Sequence, residues 1–200
     1  TNVFWSTVSS DYRTENLITY TPNGAVTPIV TYGGVLTDRS SVSNTAKALE
    51  EQGWRVVAGI NGDFYNVNNG LPIGIVVTQG QLRSSDGGYH AIGFRADGTA
   101  ILGKPGVSAN VTYTVQNGTG LPLTDQEGNP LYDELGSPLY DGTGQLLEKS
   151  LRVSAVNKAR TEAGVFLYTY DFNASHTTGS TQPGVDVICS VQEGTLAIGG

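Results

Sequence analysis

One stretch of this chain reads as helix, and that constrains the fold more than any other feature. From Ser41 to Gln52 the residues turn to Ala46, Lys47, Ala48, Leu49, Glu50 and Glu51, with Ser41, Ser43 and Asn44 in front as capping candidates. Gly53 follows immediately, so a left-handed C′ residue would place Trp54 at C″ over Leu49 at C3, the arrangement of a Schellman stop. Elsewhere the chain offers short β-branched and aromatic runs broken by turn residues, and 27 glycines supply the positive φ that tight hairpins demand. The expected class is α+β: a predominantly antiparallel or mixed sheet with at least one packed helix at about 42–52.

The strands expected along the chain follow from local pattern. Val3 to Trp5, Leu17 to Tyr20 and Val26 to Tyr32 flank a turn at Pro22-Asn23-Gly24. Val56 to Ile60 is a continuous apolar run, which reads as a strand buried on both faces with the helix packed on the sheet. Hairpins are expected over Ile73 to Arg83 around Gln79-Gly80 and over Ile92 to Leu102 around Asp97-Gly98. Alternation from Val107 to Val115 predicts a half-buried strand, and further strands are expected at 151–156, 165–170, 185–191 and 196–198.

Residues 123–146 hold an eight-residue repeat: Leu-Thr-Asp-Gln-Glu-Gly-Asn-Pro, Leu-Tyr-Asp-Glu-Leu-Gly-Ser-Pro and Leu-Tyr-Asp-Gly-Thr-Gly-Gln-Leu. Asp125, Asp133 and Asp141 recur in register, which raises calcium binding. A calcium ion needs about six or more converging oxygens, and one turn per unit spreads them apart. Solvated turns in an inserted β-arm at about 120–148 are therefore expected, inside a single domain spanning 1–200 with the insertion at 121–148.

Charge and cysteine content narrow the function classes. A net charge of −7 with unclustered Lys and Arg argues against nucleic acid and against a polyanionic membrane surface. No apolar run approaches a membrane span, so no membrane insertion is expected. The single Cys189 excludes an internal disulfide and a multi-cysteine metal site, and reads as a buried small hydrophobe. The chain opens on Thr1 and contains no methionine, which reads as a processed product or a piece of something longer. The strand-like pattern running up to Gly200 reads as a C-terminal truncation.

There is no phosphate-binding Walker loop, no His-Glu-x-x-His helix and no Gly-x-Ser-x-Gly elbow, and only His90 and His176 are present for a triad. No cofactor motif and no metal-ligand set is read. What remains is a series of polar residues at strand ends: Asn61 and Asp63; Arg83, Ser84, Ser85 and Asp86; Asn157 and Arg160; Asp171 with His176. Carboxylates can stabilise or attack an oxocarbenium-like centre, and arginine forks match phosphate oxygens, so the series suits a sugar or phosphate ester. Each has a plainer reading: Asn61-Gly62 as a type I′ turn, Asp86-Gly87-Gly88 as a turn, Arg160 as a surface ion pair and His90 as a loop histidine.

Asn61-Gly62-Asp63-Phe64-Tyr65, Pro72-Ile73-Gly74-Ile75-Val76, Gly80-Gln81-Leu82, Val156-Asn157 with Arg160, Leu167 to Phe172, Thr177 and Gly184 to Val187 together resemble the phosphodiester glycosidase domain. That family includes the enzyme that uncovers mannose 6-phosphate by removing a phosphate-linked N-acetylglucosamine, and many secreted bacterial proteins. The ordered series runs through residues 26–200, interrupted by the repeats. Two departures stand out: the family's later Asn-Leu-Asp-Gly-Gly-Gly-Ser type motif is not found, and Asp63 stands where the family often has a second glycine.

The resemblance implies hydrolysis of a sugar-1-phosphodiester at the anomeric carbon, a glycan or sugar-phosphate partner, and an extracellular or cell-surface location. It implies Asp63 or Asp171 as nucleophile or base, and Arg83 or Arg160 on the phosphate. Asn61 would contact a sugar hydroxyl or phosphate oxygen, Tyr65 and Phe64 would stack on the sugar, and Ser85, Asn157 and His176 would complete the binding set. Core packing is an equal expectation for Phe64. The rival readings are a non-catalytic carbohydrate-binding or surface-display module, and a structural piece of a cell-surface protein.

Overall fold

Ser41 starts the one helix found among the described residues, α1 (Val42–Glu51), by accepting the Asn44 N–H on its hydroxyl at 3.2 Å. Gly53, at φ 92°, ends it: its N–H donates to Glu50 O and that of Trp54 to Leu49 O, the paired bonds of the expected Schellman stop. The computed structural model describes residues 2–8, 11–117, 120, 122–134, 136–142 and 145–189. The class is α+β, with the helix accompanied by several antiparallel ladders. Among the described residues no helix is long and apolar enough to cross a membrane.

Two units divide the chain, the first comprising Thr1–Val107 and Ala155–Gly200, the second Ser108–Ser154. In the first, β1 (Asn2–Val8) pairs antiparallel with β2 (Asp11–Asn16). The strand expected at Leu17 to Tyr20 is absent because pairing with β1 uses the polar residues before it, and Leu17 is left 57% exposed. Val26 to Tyr32 likewise forms no strand, only the isolated bridge Asn23↔Val26 at the expected turn, where the Asn23 carbonyl oxygen Oδ1 accepts the N–H groups of Ala25 and Val26.

The two expected hairpins are present. β3 (Val76–Thr78) returns as β4 (Gln81–Ser84) through Gln79 and Gly80, both with positive φ, as a type I′ turn requires. β5 (Ala91–Phe94) pairs with β6 (Ala100–Gly103), and the loop between closes with Arg95 N–H on Thr99 O and Gly98 at φ 81°. Asp97 stabilises it by accepting both the N–H and the hydroxyl of Thr99.

The run Val56 to Ile60, expected as a strand buried on both faces, belongs to no strand: Val57 and Ile60 are exposed, and α1 buries none of its residues. A strand covered on both faces needs a hydrogen-bonded neighbour on each side, and the described residues supply none. Residues 185–189 are exposed and unpaired for the same reason, which places Cys189 at the surface instead of in a core. The strands expected at 190–191 and 196–198 lie outside the described residues.

In the second unit, β7 (Asn110–Asn117) pairs with β8 (Gln145–Val156) from Asn110↔Arg152 to Asn117↔Gln145. Between them the octads close a ring: Leu131 N–H donates to Leu123 O, Leu139 N–H to Leu131 O, and Leu123 N–H back to Leu139 O, at 2.8–2.9 Å. The bridges Thr124↔Pro130, Tyr132↔Pro138 and Pro122↔Tyr140 repeat the same positions around it. Asp125 and Asp133 each accept backbone N–H groups of their own octad, from Glu127 and Asn129 and from Ser137, so these carboxylates cap turns.

The end of β8 enters the first unit at Ala155 and Val156, where β9 (Val165–Leu167) is its other neighbour; the expected strand to Tyr170 stops at Leu167. The first unit's core is small: Leu36, Leu71 and Phe172 are buried together, with Tyr32, Val76 and Tyr168 packed on them. Burial contributes about 1.5–3 kcal/mol for each such large side chain. The Tyr168 and Phe172 rings meet at 5.0 Å and 59°. Gly70, at φ 77°, brings the 66–71 turn against residues 36–38, and a Cβ there would collide with the Thr37 carbonyl. Gly70→Ala is therefore expected to cost more than about 1 kcal/mol of stability, read as a lowered urea midpoint at unchanged slope.

Candidate functional site

β4 ends on Arg83 and Ser84, β8 runs into Asn157, and the chain after β9 delivers Thr169 and Asp171; these three segments meet through side chains. Asn157 is 1% exposed and left-handed at φ 51°, a conformation asparagine tolerates better than most residues. Its Nδ2 donates to Arg83 O and to Thr169 Oγ1, both at 2.7 Å, while its Oδ1 accepts the Thr169 N–H at 2.9 Å. The Thr169 N–H requires an acceptor, which fixes the amide orientation. Its backbone N–H donates to Leu167 O.

Asp171 sits at the centre of the charged part. Oδ2 accepts from Arg83 Nη1 at 2.9 Å and from the Tyr32 hydroxyl at 2.8 Å, and Oδ1 accepts from the Thr169 hydroxyl at 2.6 Å. Burial alone would raise its pKa, but the bonds from Thr169 and Tyr32 and the charge of Arg83 outweigh it and hold the carboxyl below its ordinary value. Tyr32 is pushed up to about 12 by burial and by its bond to Asp171. Arg83 Nε is buried without a partner.

Asp63 belongs to a different setting. It lies on the exposed stretch after Ile60, with Oδ1 accepting the Phe64 N–H at 2.8 Å and Oδ2 accepting the Gly74 N–H at 2.7 Å. A neutral backbone donor on each oxygen leaves lone pairs on both facing solvent. Asn61 and Gly62 both lack positive φ, so the type I′ turn does not form. Phe64 is 84% exposed, outside any core, and the half-exposed Tyr65 bridges Pro72.

The other residues named from sequence are dispersed. Ser85 is 5% exposed, and its hydroxyl accepts the Val156 N–H at 3.1 Å, so it ties β4 to the end of β8 and turns away from solvent. Arg160 donates to the carbonyls of Gln182 and Pro183 and packs against Gly184, pinning that segment in place of a surface ion pair. His176, left-handed at φ 52°, stacks on the exposed Tyr170 ring at 3.8 Å and 11°, with Nδ1 2.7 Å from Tyr170 O. A cavity of about 400 Å³ between the 31–40 segment and α1 contains none of the residues named from sequence; Tyr32, whose hydroxyl reaches Asp171, forms one wall. Among the described residues no cluster of three or more His, Cys, Asp or Glu could hold a metal.

Three participants have little signal in the sequence. Thr169 stands inside the run 167–172 but is chemically unremarkable there, Tyr32 carries no local mark, and Lys158 is one of the interchangeable-looking positions between Asn157 and Arg160. Lys158 Nζ nevertheless donates to the carbonyls of Pro72, Ile73 and Gly74 at 2.8, 3.0 and 2.8 Å.

The network carries two pH signatures of opposite sign. Asp171, lowered in the folded state, contributes stability that is present above the unfolded carboxyl value of about 3.9 and is lost as pH falls through its lower folded value. Tyr32, raised, contributes stability that is complete below about 10 and is lost as pH rises through about 12. Denaturant midpoints measured across pH should show both losses, and Tyr32→Phe should abolish the alkaline contribution while removing one late-ionising tyrosine from the ultraviolet titration. Compared with known proteins, the chain matches no family model, no curated protein and no solved structure.

Proposed function

We propose that this chain carries the site of a phosphodiester glycosidase, hydrolysing a sugar-1-phosphodiester on a phosphoglycan or related glycoconjugate outside the cell. The observation that carries this reading is the convergence of Arg83, Asn157 and Asp171, residues up to 88 positions apart, into one hydrogen-bonded group. Asn157 and Asp171 are members of the ordered series on which the resemblance rests, and Arg83 directly follows its Gly80-Gln81-Leu82 element.

In this reading the two aspartates and the two arginines take different roles, supported by their different surroundings. Asp171 takes three side-chain donors and serves to hold Arg83, whereas Asp63 keeps free lone pairs toward solvent and is the attacking or water-activating carboxylate. Arg83, held by its bond to Asp171, is the phosphate ligand; both terminal nitrogens of Arg160 donate to backbone carbonyls. In the reaction the bond from C1 to the phosphate oxygen breaks and water oxygen bonds to C1. The phosphate monoester leaves as an anion, so cationic clamping reduces the need for a general acid. Tyr65, Asn61 and the exposed Phe64 lie along the same stretch as Asp63 to receive the sugar.

A second reading has its own observation. The stacked Tyr170 and His176 rings form an exposed platform suited to a sugar face, as a non-catalytic carbohydrate-binding module would use. Release of phosphate monoester from sugar-1-phosphodiesters, assayed beside calorimetric titration with sugar phosphates, separates the two. Turnover that falls about 10²–10⁴-fold in a folded Asp63→Asn variant supports the enzyme. Binding without turnover supports the module.

A further inference from the structure

We propose that Lys158 is a positioning residue: its ammonium fills a cradle of three consecutive backbone carbonyls and, through one shared peptide group, fixes the Asp63 carboxylate. In an extended chain successive carbonyls point in alternating directions, so three neighbours meeting one atom require a curled backbone. Residues 73 and 74 form such a bend. Without a cation the curl would hold three converging carbonyl dipoles with no donor between them.

The peptide unit joining Ile73 to Gly74 links the two charged groups. Its C=O accepts from Lys158 Nζ at 3.0 Å, and its N–H donates to Asp63 Oδ2 at 2.7 Å. Hydrogen bonds chained through one polarisable amide strengthen one another, so the ammonium makes the Gly74 N–H a better donor and restrains the carboxylate it holds. Two further contacts set the frame. Ile73 N–H donates to Phe64 O, and a Cβ on Gly74 would meet Asp63 Oδ2 at 2.9 Å, so glycine lets the carboxylate approach without shifting.

The base of Lys158 is as firmly held as its tip. It follows Asn157, fixed by its amide bonds, and its own carbonyl accepts the Tyr168 hydroxyl at 3.0 Å. The charged groups facing its ammonium are Asp63 and Asp86. Burial lowers the Lys158 pKa to about 8, and these two carboxylates oppose the shift. Loss of the proton removes one of three donors from a cradle of three acceptors, so the bend loosens as pH rises through about 8.

The assignment of a catalytic consequence rests on the proposed role of Asp63; the structural coupling does not. The test follows the Gly74 amide by ¹⁵N NMR in the whole chain. In the wild type its shift should titrate with a midpoint near 8, and Lys158→Met, which keeps the stem and removes the charge, should abolish that step and raise amide exchange at least about tenfold. Lys158→Ala should behave alike and recover protection with n-propylammonium but not with n-propanol. A wild-type Gly74 amide that is flat from pH 7 to 9, or one unchanged in Lys158→Met, overturns the proposal. In the hydrolysis assay Lys158→Met should lower kcat about 10²-fold with little change in KM. A Gly74 response together with a wild type that hydrolyses nothing keeps the coupling and removes the glycosidase reading instead.

Discussion

The first unit depends on the buried amide of Asn157. Its side chain ties the end of β8 to two segments distant from each other in sequence, donating to the Arg83 carbonyl and to the Thr169 hydroxyl oxygen and accepting the Thr169 N–H. An aliphatic residue would take these partners from the Arg83 carbonyl and the Thr169 N–H at about 1–3 kcal/mol each, and an aspartate would set a negative charge against two oxygens. Asn157 combines a donor pair, an acceptor and tolerance of positive φ, which few residues other than asparagine do. Arg83 and Asp171 can then meet because the segments that carry them are already tied.

Such an anchor suits a unit whose apolar core is small. Among the described residues Leu36, Leu71 and Phe172 form one buried cluster, with Leu82 and Val156 buried beside the site segments, while Val57, Ile60, Val185, Val187 and Ile188 stay exposed. Directional bonds therefore carry much of the specification here: Asn157 at one place, the Ser85 hydroxyl on Val156 at another, the Lys158 ammonium on the 72–74 bend at a third. In the second unit backbone bonds do the corresponding work. Leu123, Leu131 and Leu139, which open the octads, stay partly exposed, yet their N–H and C=O groups close a ring, so periodicity in the sequence becomes periodicity in hydrogen bonding.

What could be read in the sequence was local. The Ser41 cap, the Gly53 stop and the Gln79-Gly80 and Asp97-Gly98 turns depend on φ preferences and on bonds spanning a few residues, and each lies where its residues place it. Strands depend on a partner that local pattern does not name. Leu17 to Tyr20 and Val56 to Ile60 have the residue types of strands and form none, whereas the polar run Asp11–Asn16 pairs with β1. The site divides in the same way. Arg83, Asn157 and Asp171 stood out as charged and amide residues at strand ends, but nothing local marks Tyr32, Thr169 or Lys158, whose importance comes from atoms brought near by the fold.

The two aspartates show how environment distinguishes chemically identical groups. Asp171 receives a phenol, a guanidinium and a hydroxyl, donors carried on flexible side chains that must themselves be held, and in return it orders them. Asp63 receives two backbone amides, whose positions are set by the chain path and not by rotamers. A carboxylate held by backbone alone is oriented without a countercharge in direct contact and stays open on the solvent side. Its orientation can be only as firm as the bend that supplies the Gly74 amide. That bend is gripped from behind by an ammonium on the residue next to Asn157, so the same anchor that assembles Arg83 and Asp171 also reaches Asp63, through Lys158 and a single peptide group.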